Sequence, residues 1–501
     1  GTGFPGYVYH AGTHFNDKRV WWPMAKPFID YLARVSYIFQ QTNFRADVLY
    51  YYGDRVPNSA TPKNTHFSVG PGYDYEVVNT EVLLNDLKVK NRKLNLSNGA
   101  SFSVLVLDKE EEINPLVLMK LEELAKSGAI IIGSKPKSVG TVKNKRNPRL
   151  PALVNRIWTK VDDPSELFIG GKAKIFDGIT PSEMLNVLNI PPDFSYPDRE
   201  TWLLDYIHYQ KQAIDFYFIR NTSDQWVFRN CSFRQQSGIP EMWNPLNGEV
   251  VPIPIYDRQG QYTSIPITLA PYGSCLVVFR TGNTVPLFSG VRSVDGTNPP
   301  LLGFSKNGII FLNEGEFELK SSIGTRRITN SPKTQQITGN WEVSFVKGWG
   351  APDSVAFPEL TSWTTHENPG IKYYSGIATY HKTFRFDNKT QVEKNEMVFL
   401  DLGEMSKVAE VWLNGVPLGV TWTKPFRFDV SAHIKSGENK LTIKVANTWS
   451  NRLTGDAITG EKYTNTNITT STRNGLPWAQ APLLKSGLIG PVTLQILHDV
   501  F

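Results

Sequence analysis

Cysteine is nearly absent from this 501-residue sequence, which carries only Cys231 and Cys275. Neither belongs to a CxxC or Cys/His cluster, so a structural zinc site is excluded, while a single disulfide between the two stays open. No apolar run reaches the roughly 18 residues a membrane-spanning helix needs, and no charged-then-apolar leader opens the chain. It begins at Gly1 rather than at methionine, which reads as a processed or recombinant piece. No stretch of Lys/Arg is interleaved with aromatics, and the net charge of +6 is spread over 53 basic and 47 acidic residues, so a nucleic-acid groove is not expected. Glycines form no G-x-G-x-x-G or Walker pattern, which argues against phosphate binding. His10, His14, His66 and His208 are too scattered for a metal site, so none is expected, and no EF-hand spacing appears.

Aromatic residues, in contrast, make up 12% of the chain, with 13 Trp and 20 Tyr. Such rings stack on the apolar faces of sugars, and they also fill the cores of large β domains. The length allows roughly three domains of about 150 residues. The first polar and aromatic concentration is "THFNDKRVWWPM", where His14, Asn16, Asp17, Lys18 and Arg19 run into Trp21 and Trp22.

Hydrophobic period then changes along the chain. "PFIDYLARVSYIFQQ" places Phe28, Tyr31, Leu32, Val35, Ile38 and Phe39 at helical spacing. "ADVLYYYG", "FSVLVLD" and "AIIIGSKP" read as buried strands. "EVVNTEVLLNDLKV" and "NPLVLMKLEELAKSG" read as helices, the second capped by Asn114 with Pro115 in its first turn. "GKAKIFDGITPSEMLNVLNI" adds a strand and a helix. This alternation predicts a parallel sheet covered on both faces, extending to about Ser195. Beyond it the helical pattern stops, and "AIDFYFIRN", "QWVFRNCSF", "GEVVPIPIYD" and "SIPITLAPYGSCLVVFR" predict an antiparallel sandwich. A second β-rich series, from "GNWEVSF" to "GPVTLQIL", is too long to join the first and predicts a separate domain.

"AEVWLNGVPLGVTWTKPFRFDVSAHIKSGENKLTIKVANTWSNRL" resembles the galactose-binding-like jelly roll found beside the barrel in many glycoside hydrolases. "GTHFNDKRVWWPMAKPFIDYLARVSYIFQQTNFRADVLYYYGDRVPN" is similar to the end of the catalytic barrel of glycoside hydrolase family 106, whose characterised activity is α-L-rhamnosidase. "PELTSWT", "YYSGIATYHKTF", "NRLTGD" and "LLKSGLIGPVTL" carry the resemblance to the end of the chain. The family's run at the opening segment is closer to Arg-Asn where this chain has Asp17 and Lys18. The α/β unit looks like the flavodoxin-like, amidotransferase-like domain that follows the barrel in several glycosidases, but neither "VLVLDKEEEINP" nor "AIIIGSKPKSVG" offers the cysteine nucleophile of a working amidotransferase.

The resemblance thus implies a multidomain α/β plus all-β protein. Residues 1–41 would be the remnant of a (β/α)8 barrel end with its connecting helix, 42–198 a flavodoxin-like α/β domain, 199–335 a β-sandwich, and 336–501 a galactose-binding-like jelly roll. A whole barrel needs about 250 residues, so the chain is read as the C-terminal portion of a rhamnosidase-like enzyme. His14, Asn16, Trp21 and Trp22 are the expected sugar contacts, one of the two tryptophans facing substrate.

Glycoside hydrolysis ordinarily uses two carboxyl groups across a sugar pocket. Asp17, Asp54, Asp74, Glu76 and Glu241 are the acids nearest suitable segments. Asp17 and Asp54 read as solvated surface acids, Glu76 as a charge at a helix start and Glu241 as part of a structural turn. No catalytic pair is assigned. The implied partner is a rhamnose-containing glycan, cofactors are not expected although calcium is compatible with a jelly roll, and a periplasmic or secreted location follows from the family. The competing reading is a non-catalytic carbohydrate-binding or scaffolding protein, with Trp363, Trp449 and Trp478 near loops as its sugar platforms and Trp412 and Trp422 buried.

Overall fold

The computed structural model describes residues 4–9, 11, 14–53, 69–107, 111–140, 149–167, 174–198, 202–386, 396–472, 474–498 and 500. Asp54, His10 and His66 lie outside them.

A six-stranded, fully parallel sheet forms the α/β part. Its order is Trp158–Lys160, Ile175–Asp177, Ile130–Ile132, Val104–Leu107, Val48–Tyr51 and Tyr75–Val78. Period-2 alternation divides the strand side chains between two cores. Leu49, Tyr51, Leu105, Leu107 and Ile131 meet Val117, Leu118, Leu121 and Leu124 of helix Pro115–Lys126 on one face. Val48, Tyr50, Val104, Val106 and Ile130 meet Met184 and Leu185 of helix Pro181–Val187 on the other. Asn114 caps the first helix by accepting from Leu116 N–H, and a Thr180/Glu183 capping box starts the second.

The segment read as one helix from "EVVNTEVLLNDLKV" is instead strand Tyr75–Val78, helix Thr80–Asn85 and strand Lys88–Lys90. Asn79 divides it: its side chain accepts from Val82 N–H, so the helix begins only after it. Glu76 accordingly sits on a strand. A further helix, Arg149–Ile157, and the edge strand Trp158–Lys160 supplement the predicted elements.

Two antiparallel sheets pack as a sandwich after the α/β part. One has four strands, Phe194–Ser195, Val227–Phe233, Tyr262–Leu269 and Asp257–Gln259; the other has six, Val250–Pro252, Ile239–Trp243, Ser274–Arg280, Ile214–Asn221, Leu204–Lys211 and Asn43–Arg45. Asn43–Arg45 and Phe194–Ser195 therefore join the sandwich by backbone pairing, although their sequence positions adjoin the α/β elements. Cys231 and Cys275 lie in its core as free thiols, not a disulfide, and burial pushes Cys275 up to about 12. A smaller three-stranded sheet, Gly290–Ser293, Gly315–Ser321 and Gly324–Asn330, follows.

The last part stacks a four-stranded sheet (Lys333–Gln336, Thr493–His498, Glu396–Asp401, Arg427–Asp429) on a six-stranded one (Ser354–Phe357, Trp341–Phe345, Ile377–Phe386, Gly437–Ala446, Val408–Leu413, Val416–Thr421). Val343, Tyr380, Val398, Leu400, Ile443 and Leu494 fill the space between them. Trp363 is fully buried there, its indole N–H donating to Tyr380 Oη at 2.6 Å.

Gly487 closes against that pair with φ +90°; a β-carbon there would lie 2.4 Å from Trp363 Nε1 and 2.7 Å from Tyr380 Oη. Gly487→Ala is therefore expected to destabilise the protein by about 2 kcal/mol or more, from the left-handed backbone and overpacking together. Urea denaturation measures this, and a loss below about 0.5 kcal/mol would contradict the packing described.

Candidate functional site

The N-terminal segment gains its structure from a surface more than four hundred residues away. Pro5–Gly6 pairs in parallel with Asn465–Thr466, and the Asn467 side chain both accepts from Val8 N–H at 2.7 Å and donates to Val8 O at 2.9 Å. Trp449 Nε1 donates to Lys18 O at 2.7 Å. Val20 and Met24 are buried in one cluster with Val408, Ala446, Trp449, Leu453 and Trp478.

Within the segment, Asn16 forms an Asx turn: its Oδ1 accepts from Lys18 N–H at 3.0 Å and its carbonyl from Arg19 N–H at 3.2 Å. Trp21 leads into the single turn Trp22–Met24, and helix Lys26–Gln40 follows. Trp21 and Trp22 both stay half-buried, with ring centroids 6.3 Å apart, and both contact Phe15, at 5.6 and 5.1 Å. Phe15 continues the aromatic run to Phe28, which meets Trp422 at 4.9 Å. Trp21 and Trp22 are thus brought together, Asn16 shapes the backbone turn, and His14 is half-buried at the start of the turn.

The concave surface produced by this docking is lined by other members of the segment. Phe4, Asp17, Arg19, Val20 and Pro23 face Val346, Trp349, Gly376, Ile377 and Trp449 across a groove of about 220 Å³. Phe4, Trp349 and Trp449 form its aromatic wall, with the two indoles 4.7 Å apart and Phe4 at 5.7 Å from Trp449. Arg19 brings a half-buried guanidinium whose Nε is shielded from solvent without a hydrogen-bond partner. It forms no ion pair among the described residues, and burial lowers its pKa from the ordinary arginine value. An unsatisfied buried donor costs roughly 1–3 kcal/mol; the Nε atoms of Arg229 and Arg258 are shielded in the same way. Asp17 stands at the rim, its side chain 71% exposed, 4.0 Å from Lys18 Nζ.

A second cavity, of about 310 Å³, lies between the amino ends of the parallel strands and the sandwich. His208, on strand Leu204–Lys211, is held between two carboxylates, Asp193 Oδ2 at Nδ1 and Asp215 Oδ1 at Nε2, each at 2.9 Å. Tyr217 Oη donates to Asp193 at 3.0 Å, Arg234 Nη2 to Asp47 at 2.9 Å, and Gln210 Nε2 to Asp215 at 2.9 Å. Burial alone would lower the His208 pKa, but the two carboxylates raise it to about 9. Burial would likewise raise Asp193, and the His208 charge and hydrogen bond instead hold it below the ordinary carboxylate value. Asp47 is raised, by burial first, against the opposing Arg234 charge.

Two cations, His208 and Arg234, are thus shared among three carboxylates, Asp47, Asp193 and Asp215. The cavity also faces the end of the parallel sheet opposite to the carboxyl ends, where such sheets ordinarily bind ligands. It ties the α/β part to the sandwich, and His208, which in the sequence is one of several scattered histidines, is its hub. Asp74, buried with Oδ1 accepting from Tyr75 N–H, lines the same cavity.

Other candidate acids and rings take structural positions. Glu76 accepts from Val77 N–H at 2.9 Å, and Glu241 accepts from Trp243 Nε1 at 2.9 Å. Trp363, Trp449 and Trp478 are all buried rather than displayed on loops, with each indole N–H bonded inside the protein; Trp478 donates to Ile468 O at 2.8 Å. Trp412 and Trp422 are half-buried rather than enclosed, with Lys444 over the first at 4.6 Å and Phe28 and Tyr31 against the second. Among the described residues, no group of three or more His, Cys, Asp or Glu side chains is arranged to hold a metal ion.

Comparison with known proteins matches residues 2–258 to the family model for α-L-rhamnosidase, glycoside hydrolase family 106, and residues 371–481 to the galactose-binding-like domain of glycosyl hydrolase family 2. A putative β-glucuronidase of Formosa agariphila is 26% identical over an alignment covering 98% of this chain and 58% of the relative. The solved rhamnosidase of Novosphingobium sp. PP1Y superposes with a TM-score of 0.76 at 28% identity, covering 99% of this chain and 43% of that one. The chain thus spans about half the length of the relatives it matches.

The ion cluster gives a pH prediction. Because the folded pKa of His208 lies above its ordinary 6.5, its contribution is complete below about pH 6.5 and is lost as pH rises through about 9. Stability is expected to fall across that window, and His208→Ala to cost about 3–5 kcal/mol at pH 6 by leaving Asp193 and Asp215 without their shared cation. Denaturant titrations from pH 6 to 10 test both; a wild-type curve as flat as that of His208→Ala would contradict the ion-pair arrangement.

Proposed function

This chain belongs to glycoside hydrolase family 106, the α-L-rhamnosidases, and on that basis we propose that it acts in the cleavage of α-L-rhamnosidic bonds in a rhamnose-containing glycan. The observation that carries the proposal is the family match over residues 2–258, to which the aromatic groove adds a surface suited to a sugar ring. Exposed aromatic faces bind sugars by stacking on the C–H face of the pyranose, with directed hydrogen bonds from neighbouring polar groups.

In this proposal the chain is the C-terminal region of the enzyme and contributes its accessory architecture and the rim of the sugar site, not a complete acid/base pair. Asp193 and Asp215 are tied to His208, Asp47 to Arg234, and Glu241 to Trp243, so none of them is arranged with another across the aromatic groove. The proposed setting is the periplasm or the cell exterior, where polysaccharide is met.

A non-catalytic carbohydrate-binding role is the second reading. It is favoured by the same groove, which carries a cation and an aromatic wall but only one carboxylate, the rim residue Asp17.

Release of 4-nitrophenol from its α-L-rhamnoside separates the two. The full-length gene product is expected to cleave it, and the 501-residue chain alone to be slower by at least about 10³-fold, since general acid and base assistance contribute 10²–10⁴ each. No cleavage of any rhamnoside by the full-length product would refute the hydrolase reading. Turnover by the chain alone at the full rate would refute the division of labour.

A further inference from the structure

We propose that the groove between the N-terminal segment and the galactose-binding-like domain is a subsite for an acidic sugar, a uronic acid residue whose carboxylate is received by Arg19. The proposal rests on the carbohydrate reading above and deepens it by naming the charge of a neighbouring residue in the glycan.

Arg19, a half-buried guanidinium on the groove wall, is the side chain from which the proposal starts. Nearby cations have partners: Lys18 stacks 4.7 Å over Phe4 and lies near Asp17, and Arg452 is bonded to Asp456 at 2.8 Å behind Trp349. Arg19 has neither a carboxylate nor a side-chain hydrogen bond among the described residues, and its Nε is withdrawn from water. A guanidinium presents a planar fork of donors that fits a carboxylate through two parallel bonds, stronger than neutral hydrogen bonds. A neutral hydroxyl would satisfy one donor and leave the charge uncompensated.

Shape and the remaining lining fix the class further. At about 220 Å³ the groove is smaller than typical drug-sized pockets, which begin near 300 Å³, and so suits a single ring. Trp349 and Phe4, the partly exposed rings of the wall, offer apolar surface for the C–H face of a pyranose, with the buried Trp449 and Val20 behind them and Pro23 and Ile377 alongside. Asp17 at the rim accepts hydroxyl hydrogens and repels a carboxylate, so the acid group is directed inward to Arg19 and the hydroxyls outward. A bare small anion would leave the aromatic wall unused.

The test uses the 501-residue chain, with intrinsic tryptophan fluorescence and calorimetry as readouts at constant ionic strength. The probes are methyl β-D-glucuronide, methyl β-D-glucoside as the same ring without the carboxylate, methyl β-D-glucoside 6-sulfate, and acetate. We expect the glucuronide to bind at least about 10-fold tighter than the glucoside, a difference of about 1.4 kcal/mol. Arg19→Gln should abolish that preference without lowering the unfolding temperature, because the guanidinium has no internal partner to lose; Arg19→Lys should keep part of it.

Equal affinity for glucuronide and glucoside, an undiminished preference in Arg19→Gln, or acetate binding as tightly as the glucuronide would each overturn the proposal. Tighter binding of the sulfate ester than of the uronide would overturn the uronic acid assignment in favour of a sulfated sugar. Rhamnoside cleavage by the full-length product reports separately on the hydrolase reading, so loss of the uronide preference with cleavage intact condemns only the subsite.

Discussion

The docking of residues 4–24 on the galactose-binding-like domain, through strand pairing at Pro5–Gly6, the Trp449 N–H bond to the Lys18 carbonyl and the buried Val20 and Met24, is the interaction on which the groove depends. Trp449 and Lys18 are 431 positions apart, and the segment bearing Lys18 has little apolar core of its own. Helix Lys26–Gln40, which follows it, buries no residue fully. The segment is ordered by borrowing the Trp449, Leu453 and Trp478 surface of the galactose-binding-like domain, with Val20 and Met24 as its buried anchors. Docking also creates a concave surface that neither partner has separately, and the sugar-binding proposal depends on that composite character.

The molecule treats buried charge in two contrasting ways. Around His208 opposite charges are set against one another, with carboxylates on both ring nitrogens and Arg234 bridging toward Asp47. Such a network fixes the relation between the parallel sheet and the sandwich, and its worth lies in geometry as much as stability, since buried ion pairs recover little beyond their desolvation cost. Around Arg19 the matching is absent, and the site is aromatic rather than ionic. The paired cluster serves architecture, while a half-buried cation without an ion pair beside the partly exposed Phe4 and Trp349 is the basis of the ligand proposal.

Local signals carried the elements whose determinants lie within a few residues. Asn114 and Pro115 mark the start of helix Pro115–Lys126, and the run Val104–Leu107 reads as a doubly covered strand. Apolar spacing was ambiguous in "EVVNTEVLLNDLKV", where only the cap at Asn79 separates strand from helix. The candidate site was legible in part. The segment from His14 to Trp22 is conspicuous in the sequence, yet the groove is lined by Arg19, Val20 and Pro23 and by none of His14, Asn16, Trp21 or Trp22, because the tryptophans turn into the aromatic run through Phe15 and Phe28. Their partners, Trp349, Ile377 and Trp449, adjoin them only through tertiary docking, for which no local spacing provides a signal. The His208 cluster was hidden for the same reason, since strand pairing and turns gather Asp47, Asp193, Asp215 and Arg234 from separate elements.

The composite groove is tested most directly by a crystal structure of the chain grown with a rhamnose- and uronate-containing oligosaccharide. A sugar ring against Phe4 and Trp349, with an oxygen within hydrogen-bond distance of Arg19, is the result expected. Sugar bound instead in the His208 cavity, or an N-terminal segment detached from Trp449 with no sugar beside it, would contradict the assignment.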